Sequence, residues 1–262
     1  MTARVRPPAV AGLFYPADPG TLSTLVDRLV AAARPDGTTV EALVAPHAGY
    51  EYSGPIAGSA YAAVAARRGG IERVVVLGPA HSVPLRGAAV STADGFATPL
   101  GVLMVDDELR QRAVGCAAVS ASDAAHAREH ALEVQVPFLQ RVLGDVRLLP
   151  VVVGDATIEE IASLLEAVWG GSETLVVVSS DLSHYLDHAT AVVRDRRTAA
   201  AIVAREPERV GDDDACGACA LRGLLAVARR RGLPIRLIDL RTSADTAGES
   251  DRVVGYGAFA VG

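Results

Sequence analysis

The chain has 262 residues, half of them hydrophobic, which points to one large domain or two small ones with a sizeable core. Its 25 basic and 31 acidic residues leave a formal net charge of -6, which argues against nucleic-acid binding through a cationic face. Every basic residue is arginine, which excludes a lysine nucleophile or Schiff base, and the three cysteines (Cys116, Cys216, Cys219) do not make a disulfide scaffold.

The first eight residues carry Arg4 and Arg6 but no apolar core, so they do not read as a signal peptide. No apolar run reaches the length of a membrane span, and the expected location is the cytoplasm. Residues 1–20 are rich in proline and glycine and should be irregular. Leu22, Leu25, Leu29 and Val30 have helical spacing, predicting a helix over 22–33. Residues 41–45 are an apolar run stopped by Pro46, the pattern of a buried strand. A helix over 56–66 precedes a second buried strand over 73–77. Shorter strands are expected at 88–91 and 101–105, flanking a turn-rich stretch at 94–99 as a hairpin-like excursion.

Residues 129–143 read as one helix kinked at Pro137. A strand over 146–153 and a threonine-capped helix over 157–168 follow. A third buried strand spans 173–179. Helices are expected at 189–204 and 218–231, and closing strands at 235–240 and 253–260. The arginine runs at Arg67-Arg68 and Arg229-Arg230-Arg231 read as solvated helix ends. Continuous apolar strands alternating with helices predict an α/β fold, with a largely parallel or mixed central sheet covered on both faces, in a single domain over 1–262.

Three of the buried strands end alike. They run out into Pro46-His47, into Pro79-Ala80-His81, and into Ser180-Asp181-Leu182-Ser183-His184. Open α/β sheets bind ligands beyond the carboxyl ends of their strands, so three histidines delivered there can share one pocket. Such a cluster suits metal binding or proton transfer. Asp181 stands three residues before His184, where it could orient the ring or cap a short helix. Glu129, His130 and Glu133 read as a solvated helix start, with both acids on one face; His126 and His188 read as surface residues. Cys216 and Cys219 precede and open a helix, where a thiol's pKa falls. Their spacing allows a redox pair, half of a zinc site or two small core residues, and with no second such pair a four-cysteine zinc site is excluded.

These residues carry a resemblance. The chain resembles the Memo family, also called AmmeMemoRadiSam system protein B, over nearly its whole length. The resemblance runs from Arg6-Pro7-Pro8-Ala9-Val10-Ala11-Gly12-Leu13-Phe14-Tyr15-Pro16 through Ala45-Pro46-His47-Ala48-Gly49-Tyr50 and Leu77-Gly78-Pro79-Ala80-His81. It continues through residues 129–138, Ser179 to Tyr185, and Ala215-Cys216-Gly217. The family's fold is similar to that of class III extradiol dioxygenases, which hold iron(II) with two histidines and a carboxylate. The resemblance implies His47 and His81 as metal ligands and Cys216 as the third. It implies His184 as the acid/base group, with Asp181 and His130 as further pocket residues.

A thiolate in place of a carboxylate is softer and favours copper(I), zinc or thiolate-bound iron, so catechol cleavage does not follow from the fold. The resemblance implies a metal-dependent redox protein using iron or copper on a small molecule or modified side chain. A zinc hydrolase, or a non-catalytic binder of peptides or partners in a pathway with AMMECR-type and radical SAM proteins, are the other readings it permits. Cys219 takes no role from the resemblance and reads as a small core residue.

Overall fold

The computed structural model describes residues 3–34, 37 and 39–262. In chain order the elements begin with β1 (Val5–Arg6), α1 (Pro19–Ala31), β2 (Ala42–Ala45), α2 (Gly54–Ala62) and β3 (Arg73–Pro79). They continue with β4 (Ala88–Val90), β5 (Gly95–Thr98), β6 (Gly101–Met104), α3 (Asp107–Val114), β7 (Val119–Ala121) and α4 (Asp123–Ala127). Next come α5 (His130–Glu133), α6 (Val136–Val142), β8 (Arg147–Val153), α7 (Ile158–Val168) and β9 (Thr174–Ser179). The last are β10 (His184–Leu186), α8 (His188–Ala204), α9 (Ala218–Arg231), β11 (Ile235–Thr242) and β12 (Val253–Val261).

The main sheet runs β10-β12-β2-β9-β3-β8-β4-β7, with β11 also paired to β12. Its centre, β2-β9-β3-β8, is all parallel, whereas β12 and β4 join antiparallel, so the sheet is mixed. Successive side chains on the central strands point to opposite faces and feed two cores. Leu43, Val74, Val76 and Val177 pack with α1, α2 and α6. Val44, Val75, Leu77 and Val178 pack with α7 and α9. The helices therefore cover both faces, as expected from strands apolar throughout. Among the described residues no helix is long and apolar enough to cross a membrane.

Several local readings are corrected. The strand expected over 101–105 forms as β6, but its antiparallel partner is β5, from the stretch expected to be a turn, and β1 adds to β5 as a separate three-stranded sheet. β4 stays in the main sheet. The helix expected over 129–143 is two, because Pro137 lies in the first turn of α6 and opens it, where a missing N–H costs nothing. Beyond that stretch, α3, capped by Asp106, and α4, capped by Ser122, form where no element was expected. His126 is not a surface residue: it is buried, with Nε2 3.0 Å from the Ala89 carbonyl and its ring edge-on to Phe96.

Glu133 is also buried, not solvated. Its carboxylate accepts from Arg6 Nη1 (2.6 Å), the N–H of Ala9 (2.7 Å) and Val10 (3.0 Å), and the Tyr15 hydroxyl (2.6 Å). Arg6 in turn donates to the carbonyls of His126 and Glu129, both at 2.8 Å. This one acid ties the N-terminal segment to α5 and so sets Phe14 beside the strand ends.

Two outcomes follow. Glu133→Gln removes the charge opposite a buried guanidinium, and urea unfolding should show a loss of about 3–5 kcal/mol. Burial holds His126 at about 4, below the 6.5 of a free imidazole. Between those values the unfolded chain binds a proton that the folded chain does not, so stability falls as pH drops from 6.5 towards 4, by roughly 3 kcal/mol from this group. His126→Gln should flatten that part of the curve of unfolding midpoint against pH.

Candidate metal centre

His47, His81 and Asp181 each stand two residues beyond a strand, after β2, β3 and β9. These strands are neighbours in the order β2-β9-β3, so the three side chains meet at one edge of the sheet. Pro46 follows β2 and Pro79 ends β3; neither has an N–H to continue the ladder. Gly78 lets α5 approach closely, because a Cβ there would come within 3.0 Å of Leu132 and 3.1 Å of Ala131. That approach brings Glu129, the N-cap of α5, against His81.

The hydrogen bonds around His47 determine its tautomer. Gln135 donates from Nε2 to the Pro46 carbonyl (2.9 Å) and to Ser179 Oγ (2.7 Å), while its Oε1 accepts from the Tyr61 hydroxyl (2.9 Å). Ser179 uses its one proton on the Ala131 carbonyl at 2.6 Å. The 3.0 Å contact between His47 Nδ1 and Ser179 Oγ therefore has only one available proton, the one on Nδ1. Nε2 is left with its lone pair facing Cys216 Sγ at 3.2 Å.

His81 is arranged in the same way. Its backbone N–H donates to Glu129 Oε2 (2.7 Å), and its Nδ1 lies 2.9 Å from Glu129 Oε1. Burial pushes the Glu129 carboxyl up, but its hydrogen bonds to His81 and to the Ala131 N–H outweigh this and hold it at about 2. An ionised Glu129 keeps the proton on Nδ1 and leaves His81 Nε2 free. The solvated helix start expected at Glu129 is thus a buried support for a candidate ligand, and Glu129 and Glu133 serve separate networks.

Cys216 precedes Gly217, the N-cap of α9. Gly217 sits so close to Ser180 that a Cβ would come within 2.7 Å of its side chain. The sulfur accepts the Asp181 N–H at 3.3 Å. Burial, reinforced by the Asp181 carboxylate, pushes the thiol up to about 12, contrary to the lowering expected at a helix start. Burial, with His81 and His130 close by, holds His47 well below the usual imidazole range. The resting pair is a neutral thiol donating to a neutral imidazole.

His47, His81 and Cys216 offer one donor atom each, all within 4.8 Å of one another. The 3.2 Å between sulfur and Nε2 compares with about 3.5 Å for a thiolate and an imidazole on one tetrahedral ion. The donor set fits a metal: two oriented lone pairs and a sulfur whose proton an ion would replace.

Asp181 is corrected. It neither caps a helix nor hydrogen-bonds His184, since residues 181–183 form a loop and His184 opens β10. Its Oδ1 accepts the His47 N–H at 2.7 Å, and burial raises its carboxyl. His184 lines the same cleft, of about 670 Å³, and its ring makes no hydrogen bond among the described residues. His130 is there too, stacked on His81 at 4.7 Å and touching Phe14 at 4.7 Å. Burial and neighbouring His81 lower its pKa. Cys219 is partly buried against the core, as read, and Cys116 packs on the same core. His188 is half-exposed, 3.9 Å from Asp245. Sequence reasoning missed the roles of Glu129, Gln135 and Ser179, although all three lie inside motifs that carried the resemblance.

Nitrogen-resolved NMR of the metal-free protein should find His47 and His81 as Nδ1–H tautomers. Ser179→Ala removes the acceptor and should populate the Nε2–H form of His47 while leaving His81 unchanged.

The family model described as Memo-like protein matches residues 6–260. A MEMO1 family protein of Methanopyrus kandleri is 35% identical, over 97% of this chain and 98% of that protein. MEMO1 family proteins of Ignicoccus hospitalis and Aquifex aeolicus are 36% and 33% identical, each over 97% of both chains. The crystal structure of an uncharacterized protein from Escherichia coli K12 superposes with a TM-score of 0.53 at 14% identity, over 82% of this chain and 98% of that one, a likeness of fold alone. With the family model covering all but the ends and relatives matched over nearly their full length, the chain belongs to the Memo family.

Proposed function

We propose that this protein is a metal-dependent redox protein whose ion is iron or copper, held by His47 Nε2, His81 Nε2 and Cys216 Sγ. The observation that carries the reading is the pair of imidazoles whose protons are both held on Nδ1, one by Ser179 and one by Glu129, with their free nitrogens beside a thiol. Carboxylate and hydroxyl partners of this kind raise ligand basicity and orient the ring. The bound ion would supply a one-electron couple and Lewis acidity. A thiolate beside two imidazoles favours copper(I), zinc or thiolate-bound iron over hard cations.

The chain's own residues would do the rest. His184 has a free imidazole at the cleft and would move a proton to or from the substrate. His130, held neutral by burial and by His81, would accept a hydrogen bond or proton on the wall beside Phe14. Asp181 would keep the His47 backbone in place. A cleft of about 670 Å³ admits a small molecule or one side chain of a larger one. The resemblance to class III extradiol dioxygenases supports oxygen chemistry as the reaction class, by fold analogy.

Leu13 and Tyr185 are 81% and 64% exposed, and Tyr185 lines the cleft. This favours a second reading, in which the cleft docks a peptide or protein partner.

Metal analysis of protein purified without chelators should give about one ion per chain, lost in His47→Ala and Cys216→Ser. Glu129→Gln should retain the ion with affinity weakened about 10–100-fold. No uptake of iron(II), copper(I) or zinc would overturn the metal reading. Oxygen consumption that depends on His184 separates redox chemistry from zinc-dependent hydrolysis. Partner binding unchanged in His47→Ala and Cys216→Ala would favour docking.

A further inference from the structure

The pairing of Cys216 with Cys219 is not used by the proposed reaction. We propose that these two cysteines form a disulfide when the protein meets a hydroperoxide, and that this modification withdraws the sulfur donor from His47 and His81. The second half of the proposal rests on Cys216 being a metal ligand; the first half does not.

The backbone between the two sulfurs is compact. Gly217 has φ -91 and ψ 24, Ala218 opens α9, and the Ala218 N–H donates to the Ala215 carbonyl at 3.1 Å. Residues three apart on a continuous helix have Cβ atoms about 5–6 Å apart, and the near-helical Gly217 and Ala218 between the two cysteines keep the chain close to that spacing. A disulfide needs about 4 Å, so a shift of roughly one or two ångströms closes the gap. Closing it turns the Cys216 sulfur away from the Asp181 N–H, which it accepts at 3.3 Å, and from His47 Nε2 at 3.2 Å.

The two sulfurs differ in surroundings. Cys219 is partly exposed in the first turn of α9, and Arg222 Nη2 lies 3.3 Å from its Sγ. Arg222 is itself held by Asp212, which lines the cleft, at 2.6 Å. A guanidinium and a helix N-terminus are the electropositive setting in which cysteines attack oxidants. Cys216 instead is buried and faces His47 Nε2 at 3.2 Å.

The chemistry balances. Cys219 sulfur attacks the terminal oxygen of the hydroperoxide, the O–O bond breaks, and an alcohol leaves with a sulfenic acid on Cys219. Cys216 sulfur then attacks Cys219 sulfur, the S–O bond breaks, and the departing hydroxide takes up one proton, that of the Cys216 thiol in the metal-free protein, and leaves as water. Two thiols lose two electrons and two protons, and the peroxide is reduced to alcohol and water.

The test treats metal-free and metal-loaded protein with tert-butyl hydroperoxide and digests it with trypsin. Cleavage after Arg209 and Arg222 frees residues 210–222, which hold both cysteines and exclude Cys116. The expected result is that peptide lighter by two hydrogens, restored by dithiothreitol, with the Cys116 peptide unchanged. In loaded protein the ion should leave as the disulfide forms. Cys219→Ser, and Cys219→Ala as a second variant, should bind the ion like the parent and release it at least tenfold more slowly under peroxide. A peptide that gains only oxygen, or release from both variants at the parent rate, overturns the proposal. If untreated protein holds no metal, the metal reading fails while the peptide mass still decides the disulfide.

Discussion

The hydroxyl of Ser179 stands where β9, the loop after β2, α5 and Gln135 meet, and it is fully buried. In that position it has one proton to give and can accept from two donors, and every one of those options is used. A buried polar atom without a partner costs about 1–3 kcal/mol, so the arrangement has little freedom to change. The consequence reaches the cleft: once Ser179 donates to Ala131, His47 must carry its proton on the inner nitrogen. The outer nitrogen is then a lone pair directed at Cys216.

Glu129 imposes the same result on His81 by charge. Held ionised at about 2, it caps α5 and grips both the backbone and the ring of His81. The two imidazoles are thus pre-set by different means, one by a saturated hydroxyl and one by a carboxylate. Both depend on α5, which supplies the Ala131 carbonyl to Ser179 and Glu129 as its N-cap, and which the Gly78 contact brings onto β3. Glu133, one turn further along, fastens the N-terminal segment to the same short helix and supplies Phe14 to the wall beside His130. The four residues of α5 therefore link ligand orientation, cleft shape and chain entry.

The thiol is the adjustable member of the group. In the resting state burial keeps it protonated, so a metal would have to displace a proton to bind there, and its affinity would rise with pH. Under the proposed disulfide, the neighbouring cysteine on α9 would be a second way to occupy the same sulfur.

Periodicity, proline stops and apolar runs were enough to place the central strands and most of the long helices, because each depends on local pattern. The approach of His47 and His81 to one point was also legible, since strands with carboxyl ends at one edge of a parallel sheet deliver whatever follows them to that edge. Cys216 as a partner came from the family resemblance, and the fold places it there. What the chain alone did not reveal was burial of charge. Glu129, Glu133 and His126 look like solvated polar residues in sequence, because nothing local distinguishes a carboxylate facing water from one facing Arg6 or His81. Asp181 and His184 have helical spacing but adopt a loop and a strand, since pairing with β12 outweighs local preference. The sequence determined which chemistry could gather at the strand ends; only tertiary packing decided which nitrogen of each histidine is free to use, because that depends on partners more than 40 residues away.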